Sequence, residues 1–409
     1  MNIRELSNHL ESLVIFRAVL DDAVVARLRT ALGALEAGEG TVGALADFES
    51  ALFAHTCDWT QYLLETVLED ENLCVRRRSP LPAEPALRAC LARELDFLTE
   101  LGALTLSRLL AMANAEEAGQ FLTPWEVSDA DFAAAYEARA AQAGQRGYGM
   151  FAKYHVFTVS DGALVPVRCP DGQTLSELPG YEREREKVIS NTRALLSGTG
   201  AANVLLYGDA GTGKSSTVKA IANAFAPEGL RLVEVKKHQL YQIPSLMDEL
   251  SRNPLKFILF IDDLSFTAGD DNFAALKAIL EGSVSGSPRN IAVYATSNRR
   301  HLVKETFTDR DGDELYAADT RQEMMSLAAR FGLTVTFLRP EKQRFREILL
   351  ALAPQYGVDC PEEQLVERAE AFALRAGGRS PRVARQFLRK RKNSRRLVRV
   401  KCLCQTIRV

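Results

Sequence analysis

The stretch YGDAGTGKSS, residues 207–216, decides the fold of the chain around it. It lies between an apolar run and a helical segment, and it matches the pattern GxxxxGKS/T at Gly208, Gly213, Lys214 and Ser215. Its glycines permit the positive φ angles that turn successive N–H groups inward, and the helix N-terminus adds partial positive charge. The motif therefore predicts a turn that binds the phosphates of a nucleotide.

Each part of this turn has an expected role. Lys214 is expected to reach the β and γ phosphates, and the Ser215 hydroxyl is expected to ligate magnesium. The residues expected to contact the nucleotide are Gly208, Asp209, Ala210, Gly211, Thr212, Gly213, Lys214, Ser215 and Ser216. The competing interpretation is a loop that merely contains glycines.

A second magnesium ligand is predicted at the end of FILFIDD, residues 257–263. The apolar residues predict a buried strand that presents Asp262 toward the phosphates. Its neighbour Asp263 is placed to orient or deprotonate the attacking water. The alternative is that these acids only cap the following helix.

Two polar residues associated with the next strands have expected roles. Asn298 follows the run IAVYAT and is expected beside Asp262, where its amide can hydrogen-bond the γ phosphate or the water. Arg330 precedes the run LTVTFL, from which its guanidinium could reach the nucleotide of a neighbouring subunit. An ordinary surface arginine is the alternative for Arg330.

The segment GGRSPRVARQF, residues 377–387, carries Arg379, Arg382 and Arg385 at three-residue spacing. We expect Arg382 to fold back over the phosphates and to distinguish ATP from ADP. Contact with nucleic acid and plain solvation are competing interpretations.

The predicted fold class is α/β. Five apolar runs alternate with helical stretches, which is typical of a parallel sheet covered by helices on both faces. The predicted divisions are an all-helical N-terminal domain over 1–145 that could bind a partner, a β-hairpin linker over 146–177, an α/β nucleotide-binding core over 178–337, a helical lid over 338–390 and a basic tail over 391–409.

Composition excludes several classes of protein. The chain has 409 residues, 46% hydrophobic and 25% charged, which argues against disordered and fibrous proteins. We find no signal peptide and no apolar segment of membrane-spanning length, so we expect a cytoplasmic protein without membrane partners. Seven scattered cysteines argue against a disulfide framework or a zinc site.

Charge is unevenly distributed although the net charge is only −2. Residues 382–409 contain eleven Lys and Arg and no Asp or Glu. This basic end could contact nucleic acid, an acidic partner or the acidic N-terminal domain, or it could simply be solvated.

The order of these motifs resembles that of the AAA+ ATPases over about residues 178–388. GDAGTGKSS resembles Walker A, FILFIDD Walker B, YATSN sensor 1, ARFG the arginine-finger box and SPRVAR sensor 2. The SPRVAR string is similar to that of the Holliday-junction branch-migration motor, and the paired aspartates are similar to those of bacterial helicase loaders. The whole set most resembles an uncharacterised prokaryotic AAA+ family of predicted ATP-binding proteins.

This resemblance implies a parallel sheet in the order 5-1-4-3-2, a helical lid, and homo-oligomeric rings, usually of six, in which Arg330 acts on the next subunit. It also implies that Gly180 and Tyr181 border adenine. The chain departs from the usual pattern at Asp263, where a glutamate is common, and in the long segment 301–329.

These observations predict a magnesium-dependent ATPase, with ATP and Mg²⁺ as cofactors, whose hydrolysis drives remodelling or loading of a macromolecular partner. The alternative is an ATP-gated switch or scaffold with little turnover, associated with nucleic acid through the basic tail.

Overall fold

The computed structural model describes residues 2–77, 81–264, 276–277, 279–280, 288–298 and 329–391. The chain divides into two compact units, Met1–Lys153 and Tyr154–Val409. Each unit has its own hydrophobic core. None of the helices in these described ranges is long and apolar enough to cross a membrane.

The described part of the first unit is helical. Its α-helices are α1 (Ile3–Glu11), α2 (Ala23–Ala37), α3 (Thr41–Phe53), α4 (Trp59–Glu69), α5 (Leu73–Arg76), α6 (Pro85–Gly102), α7 (Leu106–Ala113), α8 (Phe132–Ala141), α9 (Ala143–Arg146) and α10 (Met150–Lys153). Short 3₁₀ helices lie at Arg17–Asp21 and Glu116–Phe121. Polar residues before several of these helices accept hydrogen bonds from the first backbone N–H groups, which explains where the helices begin.

Aromatic and small residues organise the core of the first unit. The Phe48 ring packs edge-on against Trp59 and Trp125, with centroids 5.3 and 5.0 Å away. Each indole N–H donates to a backbone carbonyl, so neither buried tryptophan leaves its donor unpaired. Glycine at position 102 lets Phe132 pack closely, since a Cβ there would lie 3.0 Å from its ring.

The second unit is built on a seven-stranded sheet. Its strands are β1 (Val156–Ser160), β2 (Ala163–Pro166), β3 (Val204–Gly208), β4 (Leu230–Glu234), β5 (Lys256–Ile261), β6 (Ile291–Ser297) and β7 (Leu333–Phe337). Their order is β2-β1-β4-β5-β6-β3-β7, and all neighbours are parallel except β1 and β2. Read from β7, the last five strands have the predicted order 5-1-4-3-2, so the α/β class and its topology are confirmed.

The hairpin β1–β2 belongs to this sheet. β1 pairs in parallel with β4, as Phe157 opposite Val233, and so extends the sheet beyond the five strands of the predicted core. Alternating burial explains the attachment, because Phe157 and Val159 face the interior of the unit. The Gln239 side chain also donates to the Val159 carbonyl and fixes this edge.

Helices cover the sheet and form the lid. They are α11 (Glu182–Ser197), α12 (Lys214–Phe225), α13 (Ile243–Leu250), α14 (Lys342–Leu352), α15 (Glu362–Arg375) and α16 (residues 381–391). Further 3₁₀ helices lie at Leu175–Glu177, Ala226–Glu228, Lys237–Gln242 and Pro354–Tyr356. Residues of α14 and α16 share one core with the sheet, so the lid is packed directly on the α/β core.

Candidate functional site

The turn at 207–216 lies at the carboxyl end of β3, which lies between β6 and the edge strand β7. Gly208 (φ +132°) sits so close to β7 that a Cβ would lie 2.2 Å from the Phe337 carbonyl oxygen. Gly211 and Gly213 also have positive φ, at +78° and +99°, and α12 begins directly afterwards at Lys214. Backbone conformation therefore favours glycine at all three positions, and close packing also excludes a side chain at Gly208.

Lys214 is the buried cation of the turn, with 5% of its surface exposed. Its Nζ donates to the carbonyls of Gly208 and Asp209 at 2.9 and 2.8 Å and to Asn298 Oδ1 at 2.9 Å. Burial lowers the pKa of the Lys214 ammonium to about 8, although the carboxylates of Asp209, Asp262 and Asp263 act in the opposite direction. These contacts hold the side chain at the foot of the turn.

Hydroxyl groups from two elements meet at Asp262, the first residue after β5. Ser215 Oγ in α12 donates to Asp262 Oδ1 at 2.6 Å. Thr296 Oγ1 in β6 donates to the same oxygen at 2.6 Å. The acidic end of β5 is therefore in direct contact with the first turn of α12.

The neighbouring carboxylate is held by a different set of contacts. Asp263 has a left-handed backbone, with φ +55°, which is uncommon for a residue with a side chain but is tolerated by aspartate. Its N–H donates to Thr296 Oγ1 at 2.9 Å, and its Oδ1 accepts from Asn298 Nδ2 at 2.7 Å. Asn298 thus connects Lys214 with Asp263 across the site.

The lid contributes Arg382 to the same place. Its N–H donates to the Gly211 carbonyl at 3.2 Å, and its side chain faces the turn. Arg379 is engaged elsewhere, since it pairs with Glu370 at 2.8 Å. Arg385 lines the cavity, and its Nη2 donates to the Glu177 carbonyl at 2.9 Å. Of these three, the structure brings Arg382 into contact with the turn.

These groups surround a cavity of about 600 Å³. Residues 210–216 of the turn, both aspartates and Asn298 line one part of it. The lid lines another part with Arg382, Arg385 and Arg389. A cavity that combines backbone N–H groups and cations with carboxylate and hydroxyl oxygens suits a phosphorylated ligand bound with a divalent cation.

Magnesium fits the donor set of this cavity. The Ser215 hydroxyl and the Asp262 carboxylate are hard oxygen donors in contact with each other and open to the cavity. Magnesium keeps most of its water and takes few protein ligands when it accompanies phosphates, so two oxygens from the protein suffice. The residues present therefore fit a nucleotide with magnesium.

Gly180 and Tyr181 do not line this cavity, whereas their neighbours Leu178 and Pro179 do. The Tyr181 ring is buried between the sheet and the lid, and its hydroxyl donates to the Leu338 carbonyl at 2.5 Å. Tyr181 thus attaches the N-terminus of α11 to the carboxyl end of β7. The expectation that this pair borders adenine stays a prediction.

Arg330 lies three residues before the first residue of β7, at the amino ends of the parallel strands. The turn lies at their carboxyl ends, across a five-residue strand of roughly 15 Å. Arg330 is accordingly not part of the cavity lining in its own chain. Residues 301–328 of the long segment and residues 392–409 of the basic tail lie outside the described residues.

The sequence alone missed Thr296, which contacts both aspartates. A signal for it existed, because Thr296 and Asn298 are two residues apart in an extended segment and therefore point to the same side. Arg389 was missed as a cavity residue because its position depends on how the lid packs.

Comparison with known proteins yields a family and structural relatives. The family model described as "Protein of unknown function (DUF815)" matches residues 151–395. No curated protein matches the chain. The Holliday junction branch migration motor RuvB of Thermotoga maritima is similar at 18% identity and a TM-score of 0.38, covering 56% of this chain and 66% of that one. A single-residue variant of it gives the same values, and a second variant gives 17%, 0.38, 56% and 67%.

The chain thus spans slightly less than two thirds of the first of these motors. The family model, in contrast, matches more than half of the present chain and includes every cavity residue described above. The prediction that the chain belongs to an uncharacterised family is confirmed, and that family is DUF815.

Proposed function

We propose that this protein binds ATP with Mg²⁺ and hydrolyses it to remodel or load a macromolecular partner. One observation carries this proposal. Lys214, at the foot of a glycine turn, and Asp262, directly after the apolar strand β5, line the same cavity, and Ser215 beside Lys214 donates to Asp262. A cation, a hydroxyl and a carboxylate in this arrangement are the groups that a magnesium nucleotide requires.

Each residue has a proposed role in that reaction. The N–H groups of the turn and the Lys214 ammonium bind the phosphates, and Ser215 and Asp262 hold magnesium, which neutralises phosphate charge. Asp263 orients the attacking water, and Asn298 fixes the position of Asp263.

On the lid, we propose that the Arg382 side chain binds the phosphates and reports whether ATP or ADP is present. In support, its backbone contacts the turn and its side chain faces the cavity. Hydrolysis would then change the charge that holds α16 over the turn.

Substitution of two of these residues tests the assignment. We expect Lys214→Ala to abolish nucleotide binding, because it removes the buried cation of the site. Asp263→Asn is expected to bind ATP normally. Its rate of hydrolysis is expected to fall by about 100-fold or more, because an amide cannot take up a proton. Asparagine also tolerates the left-handed backbone at this position. Equal turnover in Asp263→Asn and wild type would exclude the proposed role of Asp263.

A second candidate function is an ATP-gated switch with little turnover. The geometry of Asp263 favours it, since this carboxylate is one methylene shorter than the glutamate common in AAA+ proteins and is already bonded to Asn298. Under this alternative the protein binds ATP tightly, and its rate of phosphate release does not exceed that of Asp263→Asn.

The partner is to be identified from the ATP-bound form. Asp263→Asn loaded with ATP is expected to retain the partner, whereas Lys214→Ala is the matched control that should not. A nucleic-acid partner held by the basic tail would lose both affinity and salt dependence when residues 392–409 are deleted. An unchanged salt dependence would argue for a protein partner.

A further inference from the structure

The hydroxyl of Thr296 lies between the two aspartates of the candidate site. It donates to Asp262 Oδ1 at 2.6 Å and accepts from the Asp263 N–H at 2.9 Å. Thr296 lines the cavity but is only 2% exposed, so these bonds are largely shielded from water. One atom therefore fixes a carboxylate and the backbone of the next residue.

The register of the sheet places Thr296 at this point. β5 and β6 pair with Ile261 opposite Ala295, so the next residue of each strand, Asp262 and Thr296, are also neighbours. The Thr296 carbonyl accepts from the Leu264 N–H at 2.7 Å. The segment Asp262–Leu264 is thus attached to a single threonine through three hydrogen bonds.

Only a hydroxyl can satisfy this position. It donates one hydrogen bond and accepts another at the same atom, which an aliphatic side chain of equal size cannot do. Without the Thr296 hydroxyl as acceptor, the Asp263 N–H loses the hydrogen bond that compensates for the unfavourable φ of Asp263. Without the donor, the Asp262 carboxylate retains Ser215 as its hydroxyl partner among the described residues.

We propose that Thr296 is a positioning residue that sets the magnesium-binding carboxylate of Asp262 relative to the water-orienting carboxylate of Asp263. This inference rests on the proposed ATPase function. In this role Thr296 does not contact the nucleotide. Its loss should therefore change the Mg²⁺ dependence and the rate of hydrolysis but not the binding of phosphate.

The test compares Thr296→Val, which has the same shape without the hydroxyl, with Thr296→Ser, which retains it. Binding of a fluorescent ATP analogue is measured without Mg²⁺ and in a Mg²⁺ titration, and kcat is measured at saturating ATP. For Thr296→Val we expect the half-saturating Mg²⁺ concentration to rise about tenfold and kcat to fall about 10–100-fold, as for other residues that orient metal ligands. Affinity without Mg²⁺ and every property of Thr296→Ser should stay within about threefold of wild type.

Thr192→Val is the matched control. Thr192 is also buried, and its hydroxyl contacts Tyr294 of the same β6 strand at 2.9 Å, away from the cavity lining. Its loss should lower the melting temperature and leave the Mg²⁺ dependence unchanged. Should Thr296→Val fail to fold, Thr296→Cys replaces it, because a thiol is only a weak donor and acceptor.

Three results would overturn the inference. These are wild-type Mg²⁺ dependence and kcat in Thr296→Val, equal losses in Thr296→Ser and Thr296→Val, or an equal Mg²⁺ effect in Thr192→Val. If wild type binds MgATP and one of these results is obtained, the inference alone fails. If wild type binds no nucleotide, the proposed function fails and the inference fails with it.

Discussion

At the scale of the residue, the candidate site depends on a few positions at which no other type of residue has the required shape. The sequence predicted most of them, because glycine spacing, a lysine before a helix and acids after an apolar strand are local patterns. It could not predict that Gly208 touches the Phe337 carbonyl, or that Arg379 pairs with Glu370, since these contacts join distant parts of the chain.

The Gly208 contact leads to a stability prediction. Gly208→Ala must place a Cβ 2.2 Å from a backbone oxygen in addition to a positive φ, so we expect the free energy of unfolding to fall by about 3 kcal/mol or more. Gly200→Ala is the control, because Gly200 has φ +99° but no atom within 4 Å of its Cβ position. Its expected loss is about 1 kcal/mol. Circular dichroism melts measure both, and equal losses would show that the contact costs nothing.

At the scale of the element, strand and helix identity followed from local sequence patterns, and the order of the five core strands followed from the family resemblance, but the pairing of the hairpin with the sheet followed from neither. The runs NVLLY, RLVEV, FILFI, IAVYAT and LTVTFL correspond to β3, β4, β5, β6 and β7, because long apolar runs bounded by polar residues suit buried parallel strands. The hairpin was also predicted. Its parallel pairing with β4 was not, since register between strands far apart in sequence depends on packing rather than on local pattern.

Helix α4 offers a prediction about pH. Its C-terminal residue is followed by Asp70, where a negative charge meets the partial negative charge of the helix end. One Asp70 carboxylate oxygen is buried without a hydrogen-bond partner among the described residues. Burial raises the pKa of Asp70 from 3.8 to about 6, with Arg76 acting against this shift and Glu71 adding to it.

A raised carboxyl pKa makes the first unit less stable as pH increases through about 6, because the folded state then holds an unfavourable charge. We expect Asp70→Asn to stabilise this unit at pH 8 by about 1–2 kcal/mol, since partial exposure weakens the full effect, and to have no effect near pH 4. Fluorescence during thermal unfolding reports this unit selectively, because both tryptophans of the chain, Trp59 and Trp125, lie in it. A stabilisation that is independent of pH would contradict the assignment.

At the scale of the whole molecule, the chain consists of two units with separate cores. Every residue of the candidate cavity belongs to the second unit. Sequence predicted a helical region followed by an α/β region, since periodicity changes sharply near residue 154. The role of the helical unit in binding a partner stays a prediction.

The separate cores predict that residues 154–409 fold and bind nucleotide without the first unit. We expect the affinity for a fluorescent ATP analogue to stay within about threefold of the full chain. Lys214→Ala in the same fragment is the control for nonspecific binding. Loss of affinity in a folded fragment would show that the first unit helps to form the site.

The position of Arg330, far from its own turn, leads to a prediction about assembly. We expect Arg330→Ala and Lys214→Ala proteins to be inactive separately and to regain part of the ATPase activity when mixed. In mixed assemblies an intact site of one chain would meet an intact Arg330 of another. Absence of activity in mixtures shown to co-assemble would indicate that Arg330 does not act between subunits.

The hairpin at the margin of the sheet also affects how copies of the protein can meet. β2 has four residues and ends in Pro166, which has no N–H to donate. Such a short edge strand is a poor template for pairing with a strand of another chain. It therefore protects this edge of the sheet against aggregation. Any contact between copies at this edge is therefore expected to use complementary side chains, and such contacts can be made and released without unfolding either sheet.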